Sequence, residues 1–193
     1  MLPWHDKDIV RLYGAFPASL KNDVERVIAI LPLNKGIGLS EWDNTVLLNG
    51  ESLQIPYRIY FDEPDAIKEK ALSPTQKLIL NCLYTRHYDG FLRQRRLENL
   101  TGCPESFIVP FIIKLLSEYV IQILDVIDHQ LQTSNLNHYT TFVRENPLYW
   151  RYTKSRMVSY WNEYYRRKFP KLRSYIGKAI VDKIENAIRE QSI

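Results

Sequence analysis

The residues best suited to chemistry lie in the last third of the chain, where aromatic and cationic side chains alternate. Cations neutralise phosphates or carboxylates, while Tyr and Trp rings stack on bases or anchor protein interfaces. This pattern predicts a surface that binds an acidic protein partner, with nucleic acid as the alternative ligand. The candidate binding residues are Arg151, Lys154, Arg156, Tyr160, Trp161, Tyr164, Arg166, Arg167, Lys168, Lys171 and Arg173.

The positive charge is confined to this part of the chain. Residues 151–193 hold 11 Lys and Arg against 4 Asp and Glu, whereas residues 1–150 hold 15 basic and 18 acidic residues. The formal net charge of +4 therefore conceals a surplus of +7 at one end and a balance of −3 in the remainder. Such a division predicts two electrostatically different ends, of which only the C-terminal one attracts anions.

The same aromatic residues also fit a purely structural interpretation. At helical spacing, Leu148, Tyr152, Val158, Trp161 and Tyr165 form one stripe that can pack inward while the Arg and Lys side chains stay outside. The exposure of the rings decides between a core stripe and an interface.

Catalytic and metal-binding patterns are not found. The four histidines are not at metal-ligand spacing with each other or with Cys82 and Cys103. The sequence has neither a Gly-rich phosphate loop nor a GxSxG nucleophile motif. We predict a protein that is not an enzyme and that uses no cofactor or metal, an active site assembled from scattered residues being the remaining alternative.

Two further segments could contact nucleic acid. Helices over 73–87, 91–100 and 104–129, with Gly102 in the intervening turn, have helix-turn-helix-like spacing. The second helix of that unit begins with Pro104, Glu105 and Ser106, which offer no basic group to a base edge. The run Arg93-Gln94-Arg95-Arg96 is either a phosphate contact or a solvated helix face.

Hydrophobic periodicity and turn residues predict a mostly α (α+β) fold, a helical globule with one β-hairpin at about 45–61. Asn49-Gly50 is the favoured pair for a type I′ turn, and Ser73-Pro74-Thr75-Gln76 is a capping box with Pro at the first helical position. A single helix is expected over 104–129, a loop over 132–141 and a helix over 146–169. A last amphipathic helix follows Pro170.

Length and composition favour one domain over 1–193, with sub-lobes 1–141 and 142–193 as a further expectation. Hydrophobic residues at 45% and charged residues at 25% are typical of a globular protein. The first residues lack the pattern of a signal peptide, and Cys82 falls on an apolar helix face, so we expect a reduced buried thiol and a cytoplasmic location. The sequence thus predicts a non-enzymatic interaction protein, such as an adaptor, assembly component or inhibitor.

Overall fold

A computed structural model describes residues 4–33, 38–41, 43–133 and 136–191. Within these residues there are ten α-helices and a two-stranded antiparallel sheet, which confirms the mostly α fold with one β-hairpin. The chain divides into two compact units, residues 1–100 and 101–193. This division falls some forty residues before the expected sub-lobe boundary at 141 and 142. The single-domain prediction stays a prediction.

The described residues of the first unit form five α-helices and two strands. A 3-10 turn over Ala18–Leu20 leads into the second helix. The elements are α1 (Trp4–Gly14), α2 (Lys21–Ile28), β1 (Asp43–Leu48), β2 (Glu51–Pro56), α3 (Ala66–Lys70), α4 (Pro74–Tyr84) and α5 (Gly90–Glu98).

The hairpin turns at the predicted residues but is shorter than expected. Asn49 and Gly50 have φ angles of 52° and 80°, the positive values that a type I′ turn requires. Strand β2 ends at Pro56 instead of continuing to residue 61. Proline has no N–H to donate to a ladder, and beyond it the chain finds other partners. The Ile59 N–H donates to the Arg86 carbonyl (3.0 Å), so this segment pairs with the residues that follow α4.

Helix α4 begins as the sequence predicts. The Ser73 hydroxyl accepts from the Gln76 N–H (3.3 Å), and the Gln76 side chain accepts from the Ser73 N–H (3.0 Å). This reciprocal pair is the capping box, with Pro74 at the first position. The Gln76 amide also donates to Asp23 (2.9 Å), which joins the start of α4 to α2. Cys82, in the middle of α4, is buried and in the reduced form.

The second unit consists of helices. Short 3-10 turns over Ser106–Ile108 and Leu172–Ser174 precede two of them. The elements are α6 (Val109–Leu115), α7 (Ile121–Thr133), α8 (Leu136–Glu145), α9 (Pro147–Tyr160) and α10 (Ile176–Glu190).

The single helix predicted over 104–129 is wrong, because the chain is interrupted between α6 and α7. The N–H groups of Leu116, Ser117 and Glu118 donate to carbonyls three residues earlier, at 3.1–3.2 Å. The Ser117 hydroxyl also donates to the Lys114 carbonyl (2.8 Å). These tight local bonds use acceptors that a continuing α-helix would need.

The loop predicted over 132–141 is also wrong where it is described. Helix α7 continues to Thr133 and α8 begins at Leu136, while residues 134 and 135 lie outside the described part of the chain. Tyr139 and Phe142 of α8 are buried in a core that includes Ile180 and Ile184 of α10. Burial of these apolar side chains at helical spacing stabilises a helix that polar composition alone does not predict.

Candidate interaction surface

Helix α9 and the turn after it carry most of the predicted binding residues. Pro147 is the first helical residue, and the Trp150 N–H donates to the Asn146 carbonyl (2.9 Å). At Tyr160 the α-helix passes into a π-helical turn over Trp161–Tyr165. The helix predicted over 146–169 is therefore α-helical only in its first part. Single π-turns within helices occur frequently at functional sites.

The inward face of α9 differs from the predicted stripe. Trp150, Thr153 and Met157 are the buried residues of this helix, whereas Leu148 is 61% exposed and Tyr152 is 63% exposed. The predicted core stripe is wrong because the spacing of 150, 153 and 157 places a different face against the core. Large apolar side chains on the first two turns of α9 consequently contact solvent, where they are available to a partner.

Three tyrosine rings form a cluster beside the π-turn. The ring centroids of Tyr119 and Tyr160 are 6.1 Å apart, those of Tyr119 and Tyr164 are 5.7 Å apart, and those of Tyr160 and Tyr164 are 6.0 Å apart. Tyr119 is 49% exposed and Tyr164 is 58% exposed. The Tyr165 hydroxyl donates to the Tyr119 carbonyl, which fixes the segment between α6 and α7 against the π-turn. We call Tyr119, Tyr160 and Tyr164 the tyrosine cluster.

Cations lie over several of the aromatic rings. The Arg156 guanidinium carbon is 6.0 Å from the Tyr160 ring centroid, and its Nη2 donates to the Tyr160 hydroxyl (3.3 Å). The corresponding distance from Arg166 to the Trp161 ring is 5.8 Å. The Trp161 indole in turn donates to the Phe169 carbonyl (2.9 Å). Cation–π contacts hold these long side chains in place.

Most of the predicted cations have no acidic partner among the described residues. The Lys154 ammonium, in contrast, lies 2.5 Å from a Glu185 carboxylate oxygen. Within the described ranges, six of the predicted cations have no carboxylate oxygen within 4.0 Å. They are Arg151, Arg166, Arg167, Lys168, Lys171 and Arg173.

All eleven predicted binding residues lie in the second unit, on α9, the π-turn and the segment that leads to α10. A surface concavity is lined by Asn162, Glu163, Tyr164, Arg166 and Arg167. Sequence reasoning missed Tyr119 and placed Leu148 and Tyr152 in the inward stripe, whereas both are exposed. Tyr119 lies 41 residues before Tyr160, so no local pattern connects them.

The other two candidate nucleic-acid segments do not present a binding face. Every residue of α6 is buried, so this helix offers no side chain to a groove. In the arginine run, Arg93 Nη1 donates to the His87 and Tyr88 carbonyls, both at 2.8 Å. Arg96 is likewise buried, and the more exposed Arg95 pairs with a glutamate.

That glutamate, Glu63, belongs to a charged cluster in the first unit. Arg96 Nε donates to Glu63 (2.9 Å) and its Nη2 donates to Glu69 (2.9 Å). Partial burial raises the pKa of Glu63, but hydrogen bonds from Arg96 and Arg95 outweigh that effect, so the pKa lies below its ordinary value. The Arg96 guanidinium also lies 5.1 Å from the Tyr84 ring centroid.

His87 lies beside this cluster as a neutral residue. Burial lowers the pKa of the imidazole, and its Nδ1 accepts a hydrogen bond from the Asp89 N–H (3.1 Å). Its ring is 4.4 Å from that of Tyr88, centroid to centroid. These contacts define a packed histidine that fixes the turn between α4 and α5.

Comparisons with models of known families, with curated proteins and with solved structures gave no match. Among the described residues, no group of three or more His, Cys, Asp or Glu side chains is arranged to hold a metal ion. No helix in the described ranges combines the length and apolar character needed to cross a membrane.

Proposed function

We propose that this chain is a cytoplasmic, non-enzymatic interaction protein whose C-terminal unit binds an acidic protein partner. The observation that supports this proposal is the tyrosine cluster, of which Tyr119 and Tyr164 are exposed, in the same unit as six cations to which the described residues offer no carboxylate. Tyr and Arg are enriched where protein interfaces bind most strongly, and unneutralised cations attract an acidic surface.

The exposed apolar residues of α9 favour a protein over nucleic acid as the ligand. Leu148 and Tyr152 lie one helical turn apart and are both more than 60% exposed. An apolar leucine contributes to a protein interface but offers nothing to a phosphate backbone. Moreover, the rings of the tyrosine cluster are tilted against one another by 34–60°, so they do not form a row of parallel faces for successive bases.

Binding assays with the purified chain distinguish an acidic protein ligand from nucleic acid. We would measure the affinity for a 20-residue oligothymidylate and for an acidic peptide rich in Glu, Leu and Tyr, between 50 and 300 mM salt. We expect the peptide to bind more tightly, and replacing both Leu148 and Tyr152 by Ser should weaken peptide binding about tenfold or more while leaving oligothymidylate unaffected. Changing Arg166, Arg167 and Lys168 together to Glu should abolish peptide binding.

A matched triple variant controls for net charge. Lys68, Lys70 and Lys77 are exposed in the first unit. Changing them to Glu alters the net charge of the chain as much as the Arg166, Arg167 and Lys168 variant does, but leaves the proposed binding surface of the second unit unchanged. This variant should bind the peptide as wild type does. The contrary result is that oligothymidylate binds more tightly than the peptide, that its affinity falls log-linearly with salt, and that the Arg166, Arg167 and Lys168 variant no longer binds it. That result would identify the chain as a nucleic-acid-binding protein.

A further inference from the structure

Three aromatic side chains of the first unit are exposed on two short segments, residues 60–62 and 88–91. Tyr60 is 41% exposed, Tyr88 is 59% exposed and Phe91 is 86% exposed. The Tyr60 and Tyr88 rings stack, with their centroids 5.9 Å apart and their planes 22° apart, and Phe91 is the second residue of α5. We call Tyr60, Tyr88 and Phe91 the aromatic patch. Exposed apolar groups that lie together mark interaction sites on soluble proteins.

The backbone of both segments is held firmly under these rings. Residues 59–62 alternate between buried and exposed side chains, so the side chain of Tyr60 lies on the solvent side. The Tyr88 N–H donates to the Ile59 carbonyl (3.1 Å), and the Tyr88 carbonyl accepts from Arg93 Nη1 (2.8 Å). Both backbone groups of Tyr88 are therefore bonded, which joins the two segments. A support that is already ordered loses little entropy when a ligand binds.

The charged residues of these two segments favour a cation as the ligand. Asp89 is exposed and stands between Tyr88 and Phe91 in the chain. Its carboxylate accepts from the Phe91 N–H (2.9 Å) as the N-cap of α5. Asp62, two residues after Tyr60, is exposed as well. The faces of aromatic rings attract cations, and a carboxylate beside the rings adds to this attraction.

The arginines close to the patch in the chain are engaged elsewhere. Arg86 and Arg93 are buried and donate to backbone carbonyls. The Arg58 guanidinium carbon is 5.1 Å from the Tyr57 ring centroid, and its Nη1 donates to the Tyr57 carbonyl (3.1 Å). Arg95 is bonded to a glutamate. These guanidinium groups are directed to partners within the unit, so the exposed rings stay open to a cation from another molecule.

We propose that the aromatic patch binds a basic segment of a partner protein, with an Arg side chain over the exposed rings beside Asp89 and with aliphatic side chains against Phe91. Arg is the cation that lies most often on aromatic rings in proteins. Nucleic acid is excluded as the ligand because exposed carboxylates repel its phosphates. This partner differs in charge from the acidic partner proposed for the second unit, so the inference stands independently of the proposed function.

Fluorescence anisotropy with labelled peptides tests the site on the full chain. The probe is a 12-residue peptide of Arg and Leu, and the reference is the same peptide with each Arg replaced by Ser. We expect the Arg peptide to bind at least tenfold more tightly than the Ser peptide. Phe91→Ser should weaken its binding about tenfold and leave the thermal midpoint unchanged, because the ring is exposed.

Asp89→Asn separates the charge from the helix cap. Asn caps a helix as well as Asp does, so this variant keeps the start of α5 and loses only the negative charge. It should weaken binding of the Arg peptide about threefold and reduce the dependence of that binding on salt.

The control is Val10→Ser, which removes another exposed apolar side chain of the first unit and should leave the affinity unchanged. The variant with Leu148 and Tyr152 changed to Ser should also bind the Arg peptide as wild type does. Equal binding of the Arg and Ser peptides, or equal affinity for the Arg peptide in wild type, Phe91→Ser and Asp89→Asn, would overturn the inference. The proposed function would then still stand, because its surface lies in the second unit.

Sedimentation velocity of the chain without peptide distinguishes a separate partner from a second copy of this chain. We expect wild type to stay monomeric in 0.1 M salt, which leaves the patch open to the partner. Self-association that rises with concentration and is abolished by Phe91→Ser would assign the patch to a second copy and overturn the inference of a separate basic partner.

Discussion

Arg96 shows that a basic run in the sequence does not always form an exposed basic surface. The run 93–96 has the composition of a basic patch, yet the Arg96 side chain is only 5% exposed and lies between two carboxylates. Its Nη1 also donates to the Asn81 side chain (3.2 Å). The carboxylates come from a segment about thirty residues earlier, so the run alone cannot reveal them.

Replacing Arg96 by Met should destabilise the protein by about 3 kcal/mol. The reason is that Glu63 and Glu69 would lose their partner, although both carboxylates keep some contact with solvent. Urea unfolding at pH 7 measures the change. The matched control is Arg95→Ala, whose side chain is 61% exposed and which should cost less than about 1 kcal/mol. Equal losses in the two variants would show that burial does not strengthen the Arg96 pairs.

The lowered pKa of Glu63 predicts acid sensitivity. A carboxyl group whose pKa is lower in the folded than in the unfolded state stabilises the fold above its ordinary value of 4.5, and this stabilisation is lost as the pH falls through the folded-state pKa. The urea midpoint of wild type should therefore drop between pH 5 and pH 3. In Glu63→Gln the drop should be smaller. A drop of the same size in both proteins would contradict this assignment.

For the secondary-structure elements, the sequence predicts those features that depend only on residues adjacent in the chain. The type I′ turn at Asn49-Gly50 and the capping box at Ser73 depend on a few adjacent residues, and both are confirmed. The break between α6 and α7 is closed by local hydrogen bonds of residues 116–118, and the buried face of α9 depends on packing between distant segments. Apolar residues surround the break, so hydrophobic periodicity continues across it and conceals it.

Ser73→Ala should destabilise the protein by about 1 kcal/mol, because the Gln76 N–H loses its acceptor at the start of α4. Thermal or urea unfolding measures this. Ser155, exposed inside α9, provides the control, and Ser155→Ala should change stability by less than about 0.5 kcal/mol. If Ser73→Ala were as mild as the control, the capping box would not contribute to stability.

Gly177→Ala should destabilise the protein although Ala is the better helix former. A Cβ at this position would lie 2.7 Å from a Tyr175 ring carbon and 3.0 Å from Met157 Cγ, so the ring or α10 must shift. Overpacking of this kind costs about 1–3 kcal/mol and exceeds the gain in helix propensity. Urea unfolding checks the sign. A stabilised variant would show that α10 and Tyr175 accommodate the methyl group freely.

For the whole molecule, the sequence correctly predicts the helical class and the local concentration of positive charge, because both follow from composition and periodicity. It does not predict the tyrosine cluster, which needs Tyr119 from before α7 beside Tyr160 at the end of α9 and Tyr164 in the π-turn. Nor does it predict that Leu148 and Tyr152 are exposed. The eleven predicted binding residues share the second unit with these exposed apolar and aromatic groups.

The most direct test of this account is co-purification of the full chain from its own cells, after nuclease treatment and in 0.1 M salt. We predict one acidic protein at close to equal stoichiometry. It should be retained by the Lys68, Lys70 and Lys77 triple Glu variant. It should be lost when Arg166, Arg167 and Lys168 are changed to Glu and when Leu148 and Tyr152 are changed to Ser. Release of all bound material by nuclease, or retention of the protein partner in both surface variants, would contradict the account.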